Sequence, residues 1–332
     1  MSVCWTFHLG LGDHTMFKWL WSTGRSQLRP GEPKSLDDIH KYIAYYRTRR
    51  EQGRATPEEA RQFSFLVCAL PHSYSYEVPY QSHVFSIDDH AVLYQEAIDA
   101  AFVSGDRDRL LSTLNWAIDF ARRLNRYEDA YHFAKQNLPV TLQGPTQTLA
   151  AEGKTATDLG EAGYGYLVWA CSKTKRHDEA IEIGFKAIPN YDPRSDVLLH
   201  FLIVISDLWT QGNKQMALVS TSRAAEQFIT NDDSPAARIR SSMTHRFLAE
   251  AGATWQGSPL FSLDAAQDHA RQAWSLNPKP DNIASAAVWW AICELRQRGS
   301  ADQIIQPQFS DGSLYDRVIE QGRSELRRLA IA

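Results

Sequence analysis

An all-α fold is predicted from this sequence: an α-solenoid of antiparallel helix pairs with an irregular N-terminal helical segment and a C-terminal capping helix. Alanines recur at helical spacing in four places: Ala130 with Ala134, Ala180 with Ala187, Ala217 with Ala224, and Ala266 with Ala270 and Ala273 ahead of Pro278. A turn signal precedes each set, which places it on the second helix of a hairpin. Small residues along one helix face let a partner helix approach closely, as stacked hairpins require. The third observation is a series of residues suited to helix starts, acids, Ser or Thr-Pro, ahead of apolar positions spaced for a helix.

The N-terminal helices come first. Ser35 caps a helix whose first turn carries Asp37 and Asp38, with Ile39, Tyr42, Ile43 and Tyr46 as its apolar stripe and Gly53 near its end. Thr56-Pro57-Glu58-Glu59 opens the next, with proline at the first helical position, and Pro71 stops it. Residues 71–88 alternate Pro and Ser with Tyr74, Tyr76, Tyr80 and Phe85, which reads as a long functional loop or a short aromatic hairpin. Asp88-Asp89 then begins a helix that Gly105 closes.

Hairpins follow: 109–124 with 127–138, 160–174 with 177–188, 195–211 with 214–230, and 236–255 with 263–276. Segment 139–159, with Gly144-Pro145 and Gly153, reads as a loop or loose insertion, and Gly257-Ser258-Pro259 interrupts the last pair. A helix at 282–298 and a capping helix at 313–330 finish the chain. Four segments result: a poorly ordered leader at 1–34, a helical segment at 35–106, repeats at 107–298 and a cap at 299–332.

Composition narrows the class. The 43% hydrophobic content is ample for a core, and a net charge of -4 gives no global basic field for nucleic acid. Basic clusters at Arg47, Arg49, Arg50 and Arg54, and at Arg323, Arg327 and Arg328, read as solvated helix faces. Cys4, Cys68, Cys171 and Cys293 form no CxxC pair, which points to reduced, buried thiols in a cytoplasmic protein and to no metal site. The first 21 residues hold Trp5, Phe7, Phe17, Trp19 and Trp21 but also His8, Asp13, His14 and Lys18, a poor fit to a signal peptide or a membrane span.

The hairpins resemble tetratricopeptide repeats, on Ala266, Ala270, Ala273 and Pro278, on Arg176-His177-Asp178-Glu179-Ala180-Ile181 through Ala187 to Pro193, and on Gly212 before Ala217. The resemblance spans about 110–280. It departs from that family where Ile118, Val168, Ile205 and Thr254 stand for a small first-helix residue, and where Asn125, Lys175 and Phe261 replace the turn glycine. The steps between Ala130, Ala180, Ala217 and Ala266 are uneven and all exceed the 34-residue period, so the array is irregular.

The resemblance implies a concave groove lined by first helices, which maps onto Asn115, Asp119, Arg122, Trp169, Ser172, Ser206, Trp209 and Trp255. Tryptophans there would serve as anchors, with Asn115 and Arg122 holding a backbone or a carboxylate. The expected function is non-catalytic binding of a protein segment or peptide, in an adaptor, chaperone-like or regulatory role, with no cofactor. No nucleic acid or membrane partner is expected, and a homo-oligomer stays open. Two alternatives stand beside it: a helical enzyme with a pocket lined by Tyr74, Tyr76, Tyr80 and His83, and a structural protein that self-associates through its tryptophans.

Catalytic motifs are weak. Asp37-Asp38, Asp88-Asp89 and Asp232-Asp233 are similar to the acidic pairs of terpene cyclases, but none has a third acid four positions after the first, and each suits a helix start. Arg240 and His245 fit the Arg-x4-His pattern of HEPN-type ribonucleases, and Arg126 with His132 fits it loosely. In a chain with 11 histidines such matches arise by chance. His8 and His14 lack helical metal spacing, and Gly10-x-Gly12 lacks a third glycine, so the balance leans against an enzyme.

Overall fold

A computed structural model of the chain describes residues 36–69, 87–187, 196–277 and 280–298, with the single residues Glu320 and Ser324. The leader, most of the 71–88 loop with its three tyrosines, and nearly all of the 313–330 helix lie outside the described residues. Those described form thirteen helices and no strand. In chain order these are α1 (Leu36–Glu51), α2 (Pro57–Ala69), α3 (Ile87–Ser104), α4 (Arg107–Arg123), α5 (Tyr127–Thr141), α6 (Gln147–Ala151), α7 (Ala156–Lys173), α8 (His177–Ala187), α9 (Asp196–Thr210), α10 (Lys214–Phe228), α11 (Pro235–Thr254), α12 (Leu263–Leu276) and α13 (Pro280–Arg298). Among the described residues no helix is long and apolar enough to cross a membrane.

The chain forms two compact units, with the boundary running through residues 141–150. The pair α4–α5, grouped from sequence with the later repeats, falls in the first unit.

In the first unit α1 packs on α2, α2 on α3 and α4, and α3 on α4. Tyr46 stacks on Phe63 at 4.4 Å between ring centres, joining α1 to α2. At the helix start that the sequence predicts, Thr56 and Glu59 form a reciprocal cap: the Thr56 amide donates to Glu59 Oε2 at 2.7 Å, and the Glu59 amide to Thr56 Oγ1 at 3.2 Å. His90 and Tyr94 of α3 pack on Phe120 of α4 at 4.8 and 5.0 Å. The Asp106 side chain caps α4 by accepting from the Arg109 amide and also binds Arg61 Nε at 2.7 Å, tying α2 to the start of α4. Helix α5 includes Pro139, where the sequence predicts its end, and runs on to Thr141; Arg107 donates to the Val140 carbonyl at 2.8 Å.

In the second unit each helix packs on the next, and α7 also packs on α9, α9 on α11, and α11 on α13. Every alanine of the four recurring sets is fully buried. Phe185, Phe201 and Phe228 cluster across α8, α9 and α10, with Phe201 edge-on to Phe185 at 4.8 Å. Ser241 Oγ donates to the Phe228 carbonyl at 2.9 Å and Ser242 Oγ to the Ala273 carbonyl at 2.6 Å, so α11 is fixed to both of its sequence neighbours. Gln267 donates to the buried Glu294 at 2.7 Å, and Arg296 to the Ala253 carbonyl at 2.8 Å, which seats α13.

Two expectations are corrected. The insertion 139–159 is partly helical: it holds the end of α5, the short α6 and the start of α7. Helix α7 begins at Ala156, ahead of Gly160, because Thr155 and Asp158 make a capping box. The first helix of the fourth pair is unbroken through Thr254, and Gly257-Ser258-Pro259 belongs to the turn after it.

Candidate functional site

Three turns share one geometry and so align the hairpins. Asn125, Lys175 and Gly212 have φ of 56, 61 and 88°, in the left-handed region. Around each, two amides reach back to close the helix: Asn125 and Arg126 to the carbonyls of Arg122 and Ala121, Lys175 and Arg176 to those of Ser172 and Cys171, Gly212 and Asn213 to those of Trp209 and Leu208. This is the Schellman closure, which glycine favours and asparagine tolerates. Counting back from the turn, Ile118, Val168 and Ile205 are equivalent and fully buried. Arg122, Ser172 and Trp209 are then equivalent, as are Asp119, Trp169 and Ser206, all at or near the C-terminal ends of first helices.

Within the second unit this alignment brings a polar and aromatic edge together. Ser172 Oγ of α7 donates to Asp207 Oδ2 of α9 at 3.1 Å. Trp209 of α9 stacks on Trp255, which follows α11, with ring centres 4.6 Å apart and planes 1° from parallel. Phe247 meets Trp255 edge-on at 5.8 Å, and Lys214 Nζ lies 4.8 Å from the centre of the Trp209 ring. His177 and Gln211, from consecutive hairpins, are in contact at 3.1 Å. Trp169 stands one turn before Ser172 and, like Trp209, is half-buried. Trp255 is only 3% exposed, so it supports Trp209 from the core instead of lining an open face.

In the first unit the equivalent residues are engaged with one another. Asp119 is buried and binds Arg122 at 3.0 Å and Arg123 at 2.6 Å, both on its own helix. Asn115 Oδ1 accepts from Asn137 of α5 at 3.1 Å, which ties the hairpin together. The expected backbone-holding pair, Asn115 and Arg122, thus has partners inside the unit. Tyr74, Tyr76 and Tyr80 lie outside the described residues.

The chemistry offered is that of contact. Burial pushes the Cys68 thiol up to about 11 and the Cys293 thiol up to about 12, which leaves neither a ready nucleophile. Among the described residues no three His, Cys, Asp or Glu side chains are grouped to hold a metal. His245, of the Arg240 and His245 pair, faces His269 of α12 across 2.9 Å. Two shallow grooves of about 530 and 520 Å³ lie on the second helices, one against Ile181, Phe185 and Met216, the other against Leu218, Val219 and Leu260. They meet at Arg223, whose guanidinium sits 4.0 Å from the centre of the Phe185 ring.

Sequence reasoning missed Asp207 and Lys214. The turn at Gly212 holds the signal for both, since Asp207 lies five residues before it and Lys214 two after. No protein-family model matches this chain, and no curated protein or solved structure matches it either.

Proposed function

We propose that the chain is an irregular helical-repeat protein of the tetratricopeptide type, and that it binds a protein segment or peptide along the first-helix edge of its second unit. The observation that supports this reading is the direct packing of α7 on α9 and α9 on α11, with the buried Ser172 donating to Asp207 and Trp209 stacked on Trp255; Trp169 is assigned to the same edge from its place one turn before Ser172. Trp169 supplies apolar contact. Trp209, backed by Trp255, is held rigid, and rigid aromatic residues give contact area at little entropic cost. Lys214 and Asp207 provide one charge of each sign for a peptide's polar groups.

Affinity capture from native lysate with wild type, Trp169→Ala/Lys214→Ala and Arg223→Ala/Val219→Ser tests this. Circular dichroism and melting are first used to check that each variant is folded. Loss of the same protein only in the Trp169→Ala/Lys214→Ala variant supports the first-helix edge. Loss only in the Arg223→Ala/Val219→Ser variant moves the binding face to the grooves on the second helices. Equal capture by all three overturns the reading.

A further inference from the structure

The strongest feature outside that edge is the pair of imidazoles between α11 and α12. His245 Nδ1 and His269 Nδ1 stand 2.9 Å apart, with ring centres 5.1 Å apart and planes tilted by 36°. At this distance one nitrogen carries a proton and donates it to the lone pair of the other. The opposite ring nitrogens leave room for one more proton, because the ring that donates can become an imidazolium and keep its hydrogen bond. A second proton has no such place: both facing nitrogens would carry hydrogens, and two cations would meet in a half-buried setting.

We propose that the His245–His269 contact is an acid-opened latch between α11 and α12, held in the neutral and singly protonated pair and released by the second proton. The surroundings favour this behaviour. Burial first, and then His269, push His245 down to about 4. Burial also lowers His269, opposed by Asp268. Asp268, exposed and paired with Arg271 at 3.2 Å, is the carboxylate that opposes the lowering of His269. Arg246, next to His245 on α11, interacts with Glu250 of the same helix, and the partner ring is the charge that lowers His245 beyond burial. The two rings therefore titrate as a coupled pair.

The latch holds no element by itself, since Ser242 to Ala273 and the fit of Ala266 on Gly252 join the same two helices. Its release changes how often the hairpin opens. Burial lowers both rings, so between the first and second steps of the closed pair the open state, with both histidines protonated, binds one proton more than the closed state. Its population then rises about tenfold for each unit of falling pH.

Histidine ring NMR and amide hydrogen exchange on the full chain, from pH 7.5 down to 4, test the proposal. The pair is expected to titrate in two separated steps. Protection of α11 and α12 amides, corrected for intrinsic exchange, is expected to fall about tenfold per pH unit between the two steps. His245→Gln and His269→Gln each keep a hydrogen-bonding partner but remove the second cation, and both should flatten that slope. Two rings titrating independently near the ordinary value would overturn the latch, and so would a pH slope unchanged in both variants. The wild-type ring titration decides the matter even if a variant fails to fold.

Discussion

The hairpins α7–α8 and α9–α10 close differently from α11–α12, although all three bury alanines at matching places. The first two turn within a few residues through a single left-handed position, at Lys175 or Gly212. The third takes the longer path from Trp255 to Ser262, with Gly257 at a φ of 78° and the Ser262 amide returning to the Gly252 carbonyl at 3.0 Å. Yet Ala180, Ala217 and Ala266 are equally and fully buried. Close packing by small residues thus sets the hairpin, and the loop is free to vary in length provided that the helix end is capped.

The sharpest way to break that statement is to add bulk at the close approaches. A Cβ on Gly184 would stand 2.3 Å from Cδ2 of Phe201, which belongs to the next hairpin, whereas one on Gly252 would stand 3.0 Å from the Ala266 Cβ within its own. Phe201 is fully buried, so Phe201→Ala is expected to cost about 3–5 kcal/mol of unfolding free energy through lost burial and a cavity. Gly184→Ala should cost about 1–3 kcal/mol by overpacking, and Gly252→Ala less than Gly184→Ala. In Gly184→Ala/Phe201→Ala the new methyl enters the space left by the ring, so the double variant should cost less than the sum of the two. Urea denaturation measures all four. A sum that is strictly additive would mean that α8 does not pack on α9 through this contact.

Much of this was legible in the sequence, and for stated reasons. Helix starts were readable because capping is local: Thr56 with Glu59 is a pattern within four residues, and so was Thr155 with Asp158, passed over because the glycines around it suggested a loop. The alanine sets were readable because a small residue facing a neighbouring helix has one simple structural use. Asp207 beneath Ser172, and Trp255 beneath Trp209, were not readable as pairs. Each joins elements whose register depends on turn geometry that one sequence does not display. The non-glycine residues at two of the turns hid that shared register, since Asn125 and Lys175 do not advertise a left-handed conformation as glycine does.

The two units also invite comparison through their histidines. His90, in the first, is 1% exposed against Tyr94 and Phe120, and burial pushes it down to about 4 from an ordinary 6.5. A histidine whose folded value is depressed contributes stability that is complete above the unfolded value and is lost as pH falls toward the folded one. Stability of the first unit should therefore drop between pH 6.5 and about 4. His90→Phe, whatever it does to stability at pH 7.5, should flatten that drop in urea midpoints followed by exchange of α3 amides. For the His245–His269 pair the loss is reported by α11 and α12 amides instead, so the same experiment separates a single buried ring from a coupled pair. A slope at α3 that survives in His90→Phe would assign the acid sensitivity to another group.

The smallest effects test the turns themselves. Lys175 holds a φ of 61° that an L side chain adopts only at a cost, so Lys175→Gly should raise stability by up to about 1 kcal/mol. Part of that gain is offset by the larger entropy of glycine in the unfolded chain. Asn125→Gly should be close to neutral, because asparagine enters this region with little strain. Gly212→Ala, at a φ of 88° with open space around its Cβ, should cost about 1–2 kcal/mol from backbone strain alone. The order of the three is more telling than any one value. If closure sets the hairpins, Gly212→Ala should also loosen the packing of Ala217 on α9, seen as faster exchange through α10. If the buried alanines set them, as the long turn of α11–α12 indicates, the cost should stay within the turn and α10 should keep its protection.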